Sequence, residues 1–199
     1  MLTHYLSAVA RSGADCLMCS GETAKGKYPV LTIKTMREII LSAERYASNL
    51  QAIGHPEPHK FLDSPKTAIS AIAKAAVTAA KEREDCSSIL VVLQQPPTPA
   101  VHSADNAAAD YSLAGLVAAH RPSVPIVVFC HTPKQARQLQ IYRGIHPILM
   151  AEGTSGDLVT TAVAEAQQMG YVKSGDEVVL VAEDADGSMT ASMKIHTVV

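Results

Sequence analysis

Ser88-Ile89-Leu90-Val91-Val92-Leu93 is the stretch on which the fold turns. Every position after the serine is apolar, three are β-branched, and the run is too short for a buried helix. A strand that is apolar on both sides needs cover on both faces, which parallel sheets between helices provide. The surroundings agree. Upstream, Ser64-Pro65 reads as an N-cap with proline at the first helical position, opening a helix to about residue 84. Ile69, Ile72, Ala73, Ala76 and Ala80 share one face of it. Downstream, residues 125–130 form a second apolar strand, 146–150 a short third and 177–182 a fourth. Helices over about 105–119, 132–142 and 157–169 alternate with them, the second opening on Thr132-Pro133 and the third closing at Gly170. Residues 191–198 alternate as a last strand. Gly187 in the tight connection before it makes the last two strands antiparallel. This order predicts an α/β fold, a three-layer α/β/α sandwich on a mostly parallel sheet.

Composition bounds the rest. Aromatic residues make up 4% of 199 positions, so Ala, Val, Ile and Leu must fill the core. A net charge of −2 with scattered basic residues argues against nucleic acid as a partner. No stretch approaches the roughly 18 apolar residues of a membrane span, and no signal peptide is visible. The four cysteines, only one pair of them close in sequence, suit a reducing, cytoplasmic setting. Gly54-His55-Pro56-Glu57-Pro58-His59 breaks the helical pattern, since proline disfavours helix before it. The expected organisation is therefore an N-terminal part over 1–53, a linker over 54–63 and the α/β domain over 64–199.

Within the first part, Leu2, Leu6, Val9 and Ala10 fit a short helix that Gly13 ends. Residues 15–20 follow as a strand. Ser20-Gly21-Glu22-Thr23-Ala24-Lys25-Gly26 reads as a glycine-rich polar turn, with Pro29 at a helix entrance. Met36, Ile40, Ala43 and Ala47 then recur at helical spacing over residues 30–50, with Glu38 and Arg45 facing out.

Several segments carry a resemblance. Ser20-Gly21-Glu22-Thr23-Ala24 resembles the end of the last barrel strand in pyruvate kinases. His120-Arg121-Pro122-Ser123-Val124-Pro125-Ile126 is similar to that family's Tyr-Arg-Pro-x-x-Pro-Ile connection. Pro133-Lys134-Gln135-Ala136-Arg137-Gln138 and Tyr142-Arg143-Gly144-Ile145 resemble its Pro-x-x-Ala-Arg-Gln…Tyr-Arg-Gly segment, and Gly170-Tyr171-Val172-Lys173-Ser174-Gly175-Asp176 the lead into its penultimate strand. The segments fall in family order. The resemblance implies the end of the catalytic barrel followed by the C-terminal regulatory domain, whose mixed five-stranded sheet has its last strand antiparallel.

It also implies what to expect of function. The family's Arg, Asn, Lys and acidic pair that hold phosphoenolpyruvate and metal belong to the barrel upstream, so only Ser20 and Glu22 match catalytic positions, as vestiges. The family works with Mg²⁺, K⁺ and ADP/ATP, but no cofactor or metal is expected in this chain. Phosphoryl transfer is mostly positioning and charge neutralisation, so the chain alone is expected to be inactive. The family's effector loop, Thr/Ser-x-x-Gly-Arg-Ser/Thr, is replaced by Gln94-Gln95-Pro96-Pro97-Thr98-Pro99-Ala100, which lacks its glycine and arginine. Thr98 and Ser103 remain as hydroxyl candidates. The second effector segment keeps Gly187, Ser188 and Thr190, but has Lys194 in place of arginine, and brings Glu183, Asp184 and Asp186 where a phosphate would approach. The usual bisphosphate effector is not expected to bind, because like charges meet there. Family members pair through this domain, so self-association or union with full-length pyruvate kinase is the expected partnership. A small-molecule domain with a rebuilt pocket, or a remnant without function, are the alternatives. Residues 1–29 are expected to refold on the C-terminal domain, pair across a dimer or stay disordered, and Met36, Ile40 and Ala43 to be buried in the same contact.

Other motifs have plainer readings. Cys16-x-x-Cys19 could be a redox or metal half-site, but on a strand the thiols face opposite ways, and core packing is the better account. Asp184-x-Asp186-Gly187 departs from a calcium loop and reads as a solvated turn. His55 and His59 could share a metal. His131 and His146 lie at strand ends as surface or hydrogen-bonded residues. Gly153-Thr154-Ser155-Gly156-Asp157 reads as an N-cap rather than an anion site.

Overall fold

The structure, a computed structural model, describes residues 14–52 (side chains to 46), 67–93, 113–150, 158–183 (side chains from 159) and 190–199. It divides into two compact units, Met1–Leu62 and Asp63–Val199.

In the first unit the expected strand over 15–20 is absent. Residues 14–20 join no ladder, Cys16 is exposed and Met18 is 92% exposed. A strand exists only where another pairs with its backbone, and none of the described strands does so here. The glycine-rich turn is also corrected: Gly21–Lys25 is a short helix, α1. The backbone N–H groups of Thr23 and Ala24 donate to the Ser20 carbonyl at 3.1 and 3.3 Å. Gly26 follows, and a Cβ there would lie 2.6 Å from the Glu22 carbonyl oxygen, so the chain leaves α1 at a point only glycine fits. The expected long helix is present as α2, Pro29–Ala52, with proline as its first residue, where a missing N–H costs nothing. Glu38 and Arg45 are exposed as expected. Ala43 is buried, but Met36 and Ile40 are only half-buried. The described element packed on α2 within this unit is the five-residue α1, too small to cover a whole stripe.

The second unit opens with α3, Ala68–Lys81, whose N-cap is Thr67 rather than Ser64; its side-chain oxygen accepts from the Ser70 N–H at 3.3 Å. Thr67 wins because its extended backbone (φ −108°, ψ 159°) leads straight into the helix. Ile69, Ala73, Ala76 and Ala80 are buried on the expected face, and Ile72 is half-buried. Then come β1 (Cys86–Val92), α4 (Leu113–Ala119), β2 (Ile126–Cys130), α5 (Pro133–Leu139), β3 (Ile145–Leu149), α6 (Leu158–Gln168), β4 (Glu177–Glu183) and β5 (Ala191–Thr197). α5 stops three residues short of the expectation. After Leu139 the chain tightens, with Tyr142 N–H donating to the Leu139 carbonyl, and Gly144 turns it at φ +79°.

The five strands form one sheet in the order β3-β2-β1-β4-β5, parallel throughout except for the antiparallel pair β4–β5. Ile89, Val91, Ile126, Val128, Val179 and Val181 face one helical layer, built from α3, α4 and the end of α5. Leu90, Val92, Val127, Phe129, Val178 and Leu180 face α6, with Val172 and Val198 closing that side. This is the three-layer α/β/α sandwich on a mixed sheet. Both faces of β1, β2 and β4 are dry, which is why those strands read as unbroken apolar runs. Arg83 joins Glu177 at 2.9 Å across the start of β1 and β4. The described helices include none long and apolar enough to cross a membrane.

Candidate functional site

In a sheet of this order, β1 leads to β2 on one side and neighbours β4 on the other. Ligands of open α/β sheets settle at such a switch point, beyond the carboxyl ends of the strands. Here that rim comprises Leu93 after β1, His131 after β2, Ala182 and Glu183 at the end of β4, and Thr190 before β5. His131 Nε2 lies 2.9 Å from the Leu93 carbonyl oxygen. A carbonyl only accepts, so the ring carries its proton on Nε2. The His131 backbone N–H donates to Gln135 Oε1 at 3.2 Å, and Thr132 Oγ1 caps α5 by accepting from the Gln135 N–H, also at 3.2 Å. The ring is held at the Leu93 carbonyl and the backbone at Gln135, so His131 is a hydrogen-bonded strand-end residue. His146 is exposed beside the Tyr171 ring, centroids 5.1 Å apart.

Of the effector candidates, Thr190 is half-buried just before β5, and Lys194 is exposed further along it, opposite Leu180. Four residues of extended chain separate them, about 13 Å at the usual strand rise. Thr98, Ser103, Gly187 and Ser188 lie outside the described residues, as do Asp184 and Asp186, the linker histidines His55 and His59, and the 153–157 segment. Ser20 and Glu22 are both exposed on the first unit, at the N-cap and in the first turn of α1, and the Ser20 hydroxyl makes no capping bond. The structure therefore brings Ser20 together with Glu22, and Thr190 with the rim.

The thiols differ by unit. Cys86 and Cys130 are buried in the sheet, and burial pushes both thiols up from their ordinary range, so neither is a nucleophile. Cys130 Sγ–H donates to the Ile148 carbonyl at 3.4 Å. The core-packing account of Cys16-x-x-Cys19 does not hold, because Cys16 is exposed and Cys19 half-buried. One feature had no signal that spacing could carry: Cys19 Sγ meets Met36 Sδ at 3.7 Å, 17 residues away. Among the described residues no group of three or more His, Cys, Asp or Glu is placed to hold a metal.

Comparison with known proteins bears on this architecture. Residues 112–196 match the family described as pyruvate kinase, alpha/beta domain. The pyruvate kinase of Lachancea kluyveri is 30% identical over 182 residues, which cover 88% of this chain and 33% of that protein. That of Candida albicans is 32% identical over 180 residues, 85% of this chain and 31% of the relative. The pyruvate kinase of Clostridium acetobutylicum is 30% identical over 171 residues, 85% and 32% of the two. The chain spans about a third of the length of the curated relatives it matches. Residues 112–196 thus carry the likeness to the pyruvate kinase alpha/beta domain, and similarity to pyruvate kinases extends over 85–88% of the chain.

Proposed function

We propose that this chain is a regulatory and assembly module of the pyruvate kinase type, acting in the cytoplasm and transferring no phosphoryl group by itself. The observation that carries this reading is the open edge of β5. In the β4–β5 ladder, Val198 N–H donates to Asp176 O and Gly175 N–H to Val198 O, so the even-numbered residues of β5 turn their backbone groups toward β4. By the alternation of antiparallel pairing, Met193 and Ile195 turn theirs to the free edge, where no described strand pairs with them. Their side chains are exposed too, at 38% and 40%. An unpaired strand with apolar side chains is a template for a second strand. A symmetric antiparallel partner, a second copy or a full-length pyruvate kinase, would satisfy both needs at once.

For chemistry, the resemblance carries only Ser20 and Glu22 into the chain, and both are exposed on a five-residue helix. The solution mass of the pure chain, with and without full-length pyruvate kinase, tests the assembly role. A dimer or a mixed complex lost in Ile195→Lys is expected. A chain that stays monomeric and ignores the enzyme overturns it. ATP formation from phosphoenolpyruvate and ADP by the pure chain would overturn the inactivity.

The alternative, a small-molecule binder with a rebuilt pocket, draws on His131, whose ring meets the Leu93 carbonyl at the switch point. Ligand-induced protection at residues 93 and 131 in a chain that never associates would favour it.

A further inference from the structure

We propose that Cys16, Cys19 and Met36 form a binding site for one soft monovalent metal ion, for which copper(I) is the chemical match. Cys19 Sγ and Met36 Sδ stand 3.7 Å apart although 17 residues separate them. An ion about 2.3 Å from each sulfur would see them at an angle of about 107°, open enough for a third ligand in a trigonal or pyramidal shell. Cys16 supplies that ligand. It is exposed, its thiol makes only a 3.9 Å contact to its neighbour's carbonyl at Leu17, and its segment is held in no ladder. The backbone can therefore turn the thiol inward at little cost. α2 presents Met36 from a helical scaffold that does not need to move.

The donor set selects the ion. Two thiolates and a thioether are soft sulfur ligands, which favour copper(I). A structural zinc site instead takes four thiolate, imidazole or carboxylate ligands, and no such cluster occurs among the described residues. The thiols of Cys86 and Cys130, buried and held protonated, are poor competitors. Binding forms three metal–sulfur bonds and releases the protons of Cys16 and Cys19 to solvent, with no change of oxidation state. Affinity therefore rises with pH. The ion would also fasten residues 16–19 to α2.

The test is a titration of the full, reduced chain with copper(I) under anaerobic conditions against bicinchoninate. One equivalent of copper withheld from the chelator is expected. Cys16→Ser and Cys19→Ser should each lose it, and Met36→Leu, which keeps volume and helix, should weaken it about tenfold or more. Circular dichroism of each variant checks folding, and Met36→Leu decides the matter if a serine variant unfolds. Zinc(II) should not bind tightly. The proposal is overturned if the chelator strips all copper from the parent chain, if Met36→Leu or Cys16→Ser holds copper as well as the parent does, or if zinc(II) binds more tightly than copper(I).

Discussion

The sheet has two edges, and they are finished differently. β3 has five residues with Pro147 at its centre, whereas β5 has seven and no proline. In β3, Gly144 O accepts from Ile126 N–H and Met150 N–H donates to Cys130 O, so the even-numbered residues serve the β2 ladder. Pro147 is thus an outward position. Its ring removes a donor from the free edge and none from the sheet, an arrangement in which a strand tolerates proline. β5 has the opposite finish: outward N–H groups at Met193 and Ile195, apolar side chains beside them, and a single exposed Lys194 between. One edge is closed to further strands and the other left open. Among the described strands, only the β5 edge offers the template that the proposed assembly role needs.

The largest effect should come from closing the open edge. Ile195→Lys puts a second charge beside Lys194 and is expected to weaken association through β5 about a hundredfold, or about 2.7 kcal/mol. Monomer stability should change by less than about 1 kcal/mol, since the position is exposed. Sedimentation equilibrium against a denaturant curve separates the two, and a variant that associates as before would break the comparison. The converse change, Pro147→Val, restores an outward donor at β3. We expect added self-association on the order of tenfold, visible as higher-order species, with the monomer altered by no more than about 1 kcal/mol. Fructose bisphosphate, meanwhile, should give no micromolar binding by calorimetry, because Glu183 lies opposite Ala191 at the start of β5 and like charges oppose a phosphate there.

Between the edges lies the dry centre, and one residue there is out of place. Ser88 in β1 is fully buried, next to the shift of register at Cys86 and Ser88, and its hydroxyl finds no partner. A buried hydroxyl without a hydrogen bond costs about 1–3 kcal/mol, so Ser88→Ala should stabilise the domain by roughly 1 kcal/mol after loss of packing. Urea midpoints would show it. A destabilised alanine variant would mean that the hydroxyl is satisfied in solution.

The contrast also explains how much the sequence discloses. Strands β1, β2 and β4 are legible because each is buried on both faces, so identity and environment coincide residue by residue. The run 15–20 is apolar in the same way, yet it is no strand, because strand formation depends on a neighbour and not on the run itself. Pro147 is visible in the sequence, but its outward register is a property of the β2 pairing. The end of α5 is hidden for a related reason: Ile141 and Tyr142 continue the apolar pattern while Gly144 already dictates a turn. Ser20 and Glu22 were legible as a motif. That they would sit exposed on a short helix was not, since nothing local distinguishes a turn from one helical turn. Cys19 and Met36 met through packing alone.

The smallest effect tests whether the layer behind the open edge behaves apart from the edge itself. α3 packs on both β4 and β5, and α4 packs on α3. At the end of α4, His120 Nε2 is buried and has no hydrogen-bond partner. Burial holds its pKa below the usual histidine range, and the Lys74 charge on α3 pushes the same way. The folded domain therefore binds this proton less readily than the unfolded chain does. Stability from His120 is fully present above about pH 6.5, and is lost as pH falls from there toward the lowered folded value. Urea midpoints between about pH 7.5 and pH 5 should decline in the parent chain and decline less in His120→Gln. Lys74→Gln should shift the decline to lower stability cost per proton, because one opposing charge is gone. Association through β5, measured in the same series, should follow the layer only if α3 supports the edge. If dimerisation persists while the midpoint falls, the edge of β5 is held by β4 alone.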